Sequence, residues 1–233
     1  DWNIGYSECS IEDFISAKNK EELNIKWFKK PRKNCYFADP FIIKTEKDTY
    51  IFFEWYSYYK CKADLAVARK SEDFEKYHIL TNFKEHRSYP YVFSYEGTIY
   101  CLPEANQTKQ VFLYKFCEEK LTFEKDCILL EGFPIVDATL YQHDGKWFMF
   151  LVNQKKSHSH LEIYYSDNLK GPYLPHENNP VMIDCSKARP AGKIFNYKGK
   201  RIRPSQNSTE HYGQSLVLEE IELLTERQFS TIP

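Results

Sequence analysis

Ala38-Asp39-Pro40-Phe41-Ile42-Ile43, followed closely by Tyr50-Ile51-Phe52-Phe53-Glu54-Trp55-Tyr56, is the stretch on which the reading of this 233-residue chain turns. Related blocks return at Ser88-Tyr89-Pro90-Tyr91-Val92-Phe93, at Val136-Asp137-Ala138-Thr139-Leu140 and at Ala188-Arg189-Pro190-Ala191-Gly192. From Pro40 to Pro90 to Ala138 to Pro190 the intervals are 50, 48 and 52 residues. A pitch that regular, in a chain whose apolar runs are strand-like, points to stacked or radially arranged repeats.

Each repeat reads as a four-stranded antiparallel meander. The first runs through Pro40 to Ile43, Thr49 to Trp55, Leu65 to Arg69 and Tyr77 to Leu80; the second through Tyr91 to Ser94, Thr98 to Leu102, Gln110 to Phe116 and Cys127 to Leu130. The third has Ala138 to Gln142, Trp147 to Val152, Leu161 to Ser166 and a short strand near Val181 to Ile183. The fourth has Gly192 to Asn196, Lys200 to Pro204 and Ser215 to Leu223. Glu96-Gly97, His143-Asp144-Gly145 and Lys198-Gly199 supply turns between first and second strands. Four strands per repeat of this length is the pattern of a propeller blade, and a β-sandwich does not predict four polar, proline-containing blocks at one pitch.

The expected fold is all-β, a five-bladed propeller forming a single domain over residues 1–233, with repeats beginning near 38, 88, 136 and 188. Residues 1–35 are expected to close the fifth blade, Trp2-Asn3-Ile4-Gly5-Tyr6 lying beside an element C-terminal to Ser215. Ser10 followed by Asp13 reads as the capping box of a short helix.

Composition narrows the partners. Lys+Arg 32 against Asp+Glu 33 gives no basic excess, so nothing in the balance favours nucleic acid or an anionic membrane. No apolar run reaches the roughly 18 residues of a membrane span. The seven cysteines lack metal-binding spacing and are odd in number; with no leader pattern at the start, a reduced, cytoplasmic setting is expected. His158-Ser159-His160 lacks a third spaced ligand, and neither a metal nor a cofactor is expected. Tyr 18, Phe 17 and Trp 4 make the chain rich in flat rings, which fill strand-built cores and also suit the apolar faces of sugars.

In an antiparallel hairpin the start of one strand and the end of the next share an edge. Asp39, Tyr89, Asp137 and Arg189 hold the first place, and Glu54, Glu104, Asn153 and Gln206 the second, so these eight polar or hydrogen-bonding side chains are expected at one mouth. Arg203, on a strand leading to the same mouth, and His211 join them as candidate ligand contacts, with Arg87, His86 and Tyr212 near in sequence. Guanidinium groups in such a place suit a carboxylate or phosphate, and an acidic or phosphorylated sugar follows as ligand class. A structural ion network is the alternative use of the same charges.

Ala38-Asp39-Pro40-Phe41 and Val136-Asp137-Ala138-Thr139 resemble blade motifs of the family-43-like glycoside hydrolase propellers. With Trp2-Asn3-Ile4-Gly5, Leu102-Pro103-Glu104 and Arg203-Pro204-Ser205-Gln206, the set is similar to a branch found in bacterial polysaccharide-biosynthesis proteins and at the N-terminus of plant glucosamine inositolphosphorylceramide transferases. The resemblance implies Asp39 as general base and Asp137 as the second carboxylate. The acid that it implies in the fourth blade, a Glu in a Glu-Gly-Pro setting, is replaced by Ala188-Arg189-Pro190, which leaves Glu104 as the substitute acid. An inverting pair needs its carboxyls roughly 6.5–9.5 Å apart. Three functions follow as expectations: an inverting, family-43-like hydrolase; a non-hydrolytic domain that holds a glycan or sugar conjugate for a transferase; and a protein-interaction propeller.

Overall fold

The computed structural model describes residues 2–29, 33–80, 83–156 and 159–232. Two compact units divide the chain, Asp1–Pro90 and Tyr91–Pro233.

The first unit is built on one antiparallel sheet, β3 (Cys35–Lys44), β4 (Thr49–Ser57), β5 (Lys62–Arg69) and β6 (Tyr77–Leu80), in that order. It is preceded by a two-stranded ladder of β1 (Gly5–Tyr6) and β2 (Lys26–Trp27), which flank the helix α1 (Ile11–Ser16). The helix starts where the sequence places it. Ser10 Oγ accepts from Asp13 N at 3.0 Å and the Asp13 carboxylate accepts from Ser10 N at 3.3 Å, so two helix-end donors are satisfied reciprocally.

Tyr50 to Glu54 of β4 and Ala63 to Ala68 of β5 are buried on both faces, which a sheet shows when it is covered on each side. One face carries Phe37, Ile51, Phe53, Ala66 and Ala68, packed with Ile4, Phe28 and Phe74. The rings of Phe28 and Phe53 meet edge-on at 5.6 Å.

β7 (Ser88–Tyr95) spans the division between units and forms the second sheet with β8 (Thr98–Glu104), β9 (Gln110–Cys117) and β10 (Thr122–Glu131). The third sheet holds β11 (Ile135–His143), β12 (Lys146–Asn153) and β13 (His160–Ser166); its fourth place is shared by two short strands, β14 (Leu174–Pro175) and β15 (Met182–Ile183), both paired with β13. The fourth sheet is β16 (Phe195–Tyr197), β17 (Lys200–Asn207), β18 (Ser215–Leu224) and β19 (Phe229–Ile232). Phe148, Phe150, Leu161, Ile163, Ala188, Ile194, Ile221 and Leu224 form a core between the third and fourth repeats.

The repeat pitch is visible in the contacts of the second unit. Tyr91 Oη donates to Leu140 O, 49 residues on. Arg227 Nε reaches the Glu177 carboxylate at 2.9 Å, 50 residues back.

The expectation of five blades is corrected: among the described residues there are four blade sheets, three of four strands and one of five, beside the two-stranded ladder of β1 and β2. The N-terminal strand has its own partner within the first unit. β1 pairs with β2, Ile4 O accepts from Phe28 N at 2.9 Å, and Ile4 is 2% exposed in the core of the first unit. β19, absent from the sequence reading because Phe229-Ser230-Thr231-Ile232 is short, fills the fourth place of the last sheet. That sheet therefore needs no strand from residues 1–35. Gly5 is fitted to its place, since a Cβ there would lie 2.9 Å from Ile25 Cγ2.

Ile4→Ala is expected to destabilise the protein by about 3 kcal/mol through lost burial and the cavity left behind. Trp2→Ala, at a position 49% exposed, is expected to stay within about 0.5 kcal/mol. Urea unfolding compares the two, and equal effects would contradict this packing.

Candidate functional site

Three of the four first positions of the repeats share a backbone device. Asp39 has φ 50°, Tyr89 φ 43° and Asp137 φ 53°, all in the left-handed region that residues other than glycine seldom enter. At Asp39 and Asp137 the cause is a bulge. Ala38 faces Glu54 and Phe41 faces Phe52, so Asp39 and Pro40 together oppose Phe53 alone; Val136 to Thr139 repeats this against Val152 to Phe150. A bulge re-aims the side chain it carries and sharpens the local twist.

In the first unit the Asp39 carboxylate accepts from Tyr89 N at 3.2 Å. Tyr89 contributes through its main chain; its ring is buried and meets Phe41 edge-on at 4.9 Å. Glu54 is buried and takes a long hydrogen bond, 3.4 Å, from Tyr36 Oη. Burial, then the charge of Glu54, with smaller effects from Tyr56 and Asp39, push the Tyr36 phenol above its ordinary range. His86 Nδ1 accepts from Ala63 N at 3.2 Å, which fixes the neutral ring with its proton on Nε2. Arg87 is buried: it donates to His86 O at 2.9 Å and lies over Phe83 at 5.2 Å.

In the second unit Asp137 is the centre. Its Oδ2 accepts from Arg189 Nε and, at 3.1 Å, from Gln206 Nε2, with the Asp137 and Arg189 side chains 2% and 10% exposed. Gln206 Nε2 also reaches Pro190 O at 2.9 Å, and Gln206 N donates to Arg189 O at 2.9 Å. Residues 189–191 thus run antiparallel beside β17, which holds the guanidinium against the carboxylate. Burial would lower the Arg189 guanidinium, but Asp137, with Tyr212 and Glu104 adding to it, lifts it above its ordinary range. The Tyr212 ring lies 5.2 Å from the guanidinium carbon. Glu104, half-buried at the end of β8, acts on Arg189 through its charge.

The structure brings Asp137, Arg189 and Gln206 together, with the charge of Glu104 acting on Arg189. It places three candidates elsewhere. Arg203, on the face of β17 opposite Gln206, is 1% exposed and donates to Glu219 at 3.1 Å, to Lys187 O at 2.8 Å and to Ala188 O. It is a positioning residue, tying down the two carbonyls just before Arg189. Asn153 is spent on the turn after β12, its Oδ1 accepting from Lys155 N at 3.1 Å. His211 is exposed, and its neighbour Tyr212 is the one over Arg189; adjacent residues in a turn gave no signal to separate them. Among the described residues no three His, Cys, Asp or Glu are grouped to hold a metal. His158 lies outside the described residues.

The family model described as "Glucosamine inositolphosphorylceramide transferase 1, N-terminal" matches residues 28–233. The chain belongs to that family. It is 31% identical over 207 residues to glucosamine inositolphosphorylceramide transferase 1 of Oryza sativa subsp. japonica, covering 85% of this chain. Over 206 residues it is 30% identical to the protein of that name from Arabidopsis thaliana, covering 84%. The chain spans 28% and 27% of the length of these two relatives.

Among solved structures it is similar to an exo-β-1,3-galactanase from Clostridium thermocellum, with TM-score 0.68 and 12% identity over 91% of this chain and 54% of that one. It is also similar to a thermostable family-43 glycoside hydrolase, with TM-score 0.65 and 11% identity over 84% and 74%. At those identities the likeness establishes the fold, an all-β propeller of antiparallel sheets. For this member of the glucosamine inositolphosphorylceramide transferase N-terminal family, every candidate site residue falls inside the matched segment, while β1, α1 and β2 precede it.

Arg189→Ala is expected to cost about 3–5 kcal/mol, because it leaves the buried Asp137 carboxylate without its cation. Adding Asp137→Asn is expected to restore part of the loss, and a double-mutant cycle measures the coupling. A second expectation concerns pH. Burial, reinforced by Arg87 and Lys62, holds the His86 imidazole below its ordinary range, and a protonated Nδ1 could no longer accept from Ala63 N. The unfolded chain then takes up this proton first, so stability is present above about pH 6.5 and falls as pH drops below it. Urea midpoints at pH 7 and 5 are expected to differ less in His86→Gln; equal slopes would count against this role.

Proposed function

We propose that the chain is a non-hydrolysing carbohydrate-recognition propeller, which holds an anionic sugar conjugate for a transferase. The observation that carries this reading is the Arg189–Asp137 pair. Ala188 stands where the family-43-like motif has its acid, and the guanidinium of Arg189 beside it gives up no proton near neutrality. Asp137, tied on one oxygen by two donors, serves to hold that guanidinium in place. An arginine fixed through Nε, lying on a tyrosine ring and flanked by Gln206, suits recognition of a phosphate or carboxylate. The names of the plant relatives fit a sugar-transfer setting, since inositolphosphorylceramide carries a phosphate.

The second reading is hydrolysis, with Asp39 as base, Asp137 as modulator and Glu104 as acid. It is favoured by the shared bulge that presents Asp39 and Asp137 in one conformation. Against it, the resemblance implies an acid in the fourth blade where this chain has Ala188-Arg189-Pro190, and a general acid must be protonated at working pH.

The test is mass spectrometry of the protein incubated with β-1,3-galactotriose, glucosamine, glucuronic acid and inositol 1-phosphate. The expected result is retention of intact anionic species, weakened about tenfold in Arg189→Lys, which keeps the charge and loses the planar fork. New reducing ends produced by wild type and not by Asp39→Asn would overturn the proposal in favour of hydrolysis.

A further inference from the structure

The rim of the first sheet carries rings that neither the core nor the Asp137 cluster uses. Beyond the Asp39 bulge the β3–β4 ladder continues through four pairs, Ala38 with Glu54, Phe37 with Trp55, Tyr36 with Tyr56 and Cys35 with Ser57, where the corresponding ladder of the third sheet has two. Strand alternation divides this extension into two faces. Phe37 goes inward, 1% exposed, with Phe53. Tyr36, Glu54 and Tyr56 take the opposite face, and both tyrosines remain partly exposed.

The two rings stack, with centroids 4.8 Å apart and planes 11° from parallel. Tyr58, in the turn after β4 and 48% exposed, stands edge-on to both, at 5.7 Å from Tyr36 and 5.4 Å from Tyr56. His86 adds a fourth ring, 6.4 Å from Tyr56. The turn that presents Tyr58 is pinned by its own N–H on Asn34 O at 2.9 Å and by Lys60 N on Ser57 Oγ at 3.3 Å. The corner is therefore ordered before any ligand arrives, which reduces the entropy lost on binding.

We infer that Tyr36, Tyr56 and Tyr58 form a stacking subsite for a neutral pyranose ring, with Glu54 and the Tyr36 hydroxyl beside it to engage the sugar's hydroxyl groups. The chemistry is that of a saccharide. A pyranose offers an apolar C–H face to an aromatic ring and a rim of hydroxyls to a carboxylate, and this corner supplies both within one hairpin. Ring stacking without the carboxylate would suit any flat apolar group; a buried glutamate hydrogen-bonded to a tyrosine hydroxyl selects a polyol. The inference rests on the reading that the chain recognises carbohydrate and is independent of the role given to Arg189.

The experiment is a titration of the whole chain with β-1,3-galactotriose and, separately, with N-acetylglucosamine, followed by saturation-transfer NMR, alongside inositol 1-phosphate as the anionic probe. Tyr58→Ala is expected to weaken binding of a neutral sugar by about five- to tenfold, while Tyr58→Phe, which keeps the ring, stays within about twofold. Tyr59→Ala, at a neighbouring position 89% exposed, is the control for loss of the turn and is expected to match wild type. Unchanged neutral-sugar binding in Tyr58→Ala, or no binding of either neutral sugar by wild type, overturns the inference. If neutral sugars bind through Tyr58 while Arg189→Lys leaves inositol 1-phosphate unaffected, the subsite stands and the anion-holding role of Arg189 falls. The converse pattern removes the subsite alone.

Discussion

A carboxylate at the start of one repeat grips the start of the next, and the placement of the candidate residues depends on that contact. Asp39 accepts from the backbone of Tyr89, 50 residues on; Asp137 accepts from the side chain of Arg189, 52 residues on. Both aspartates can do so because a bulge puts them in the left-handed region, turning the carboxylate out of the alternation of its strand. Backbone held in a sparsely populated region persists only where the surroundings fix it. Here the surroundings are a paired strand on one side and a latched repeat on the other.

The two latches differ in a way that matters chemically. At Asp39 the partner is a neutral N–H. At Asp137 it is a guanidinium, itself steadied by Gln206, by the Tyr212 ring and, through the carbonyls of Lys187 and Ala188, by the buried Arg203–Glu219 pair. Removing any one of these groups from a dry site leaves another polar group without its partner, which is why such networks behave as units. Arg189 is thus the cation of a buried pair rather than a group that donates a proton near neutrality.

The sequence by itself determined the strands, their antiparallel order and the spacing of the repeats, because alternation, turn residues and pitch are local properties written one repeat at a time. Its strand starts and strand ends marked Asp39, Tyr89, Asp137, Arg189, Glu54, Glu104, Asn153 and Gln206 as one set, because those positions share an edge in a hairpin. Only the tertiary structure decided the rest. The short β19 carries too few residues to stand out from its surroundings, and its presence removes the need for Trp2 to Tyr6 to complete the last sheet. Arg203 and Gln206 look alike as polar residues near one strand end; the side of the strand each faces, and the buried Glu219 waiting across the ladder, separate a structural cation from a site residue. His211 and Tyr212 differ by one residue in a turn, where no alternation exists to say which one reaches Arg189. Periodicity fixes what repeats along the chain, whereas the partner of a buried charge is fixed by what lies across from it in space.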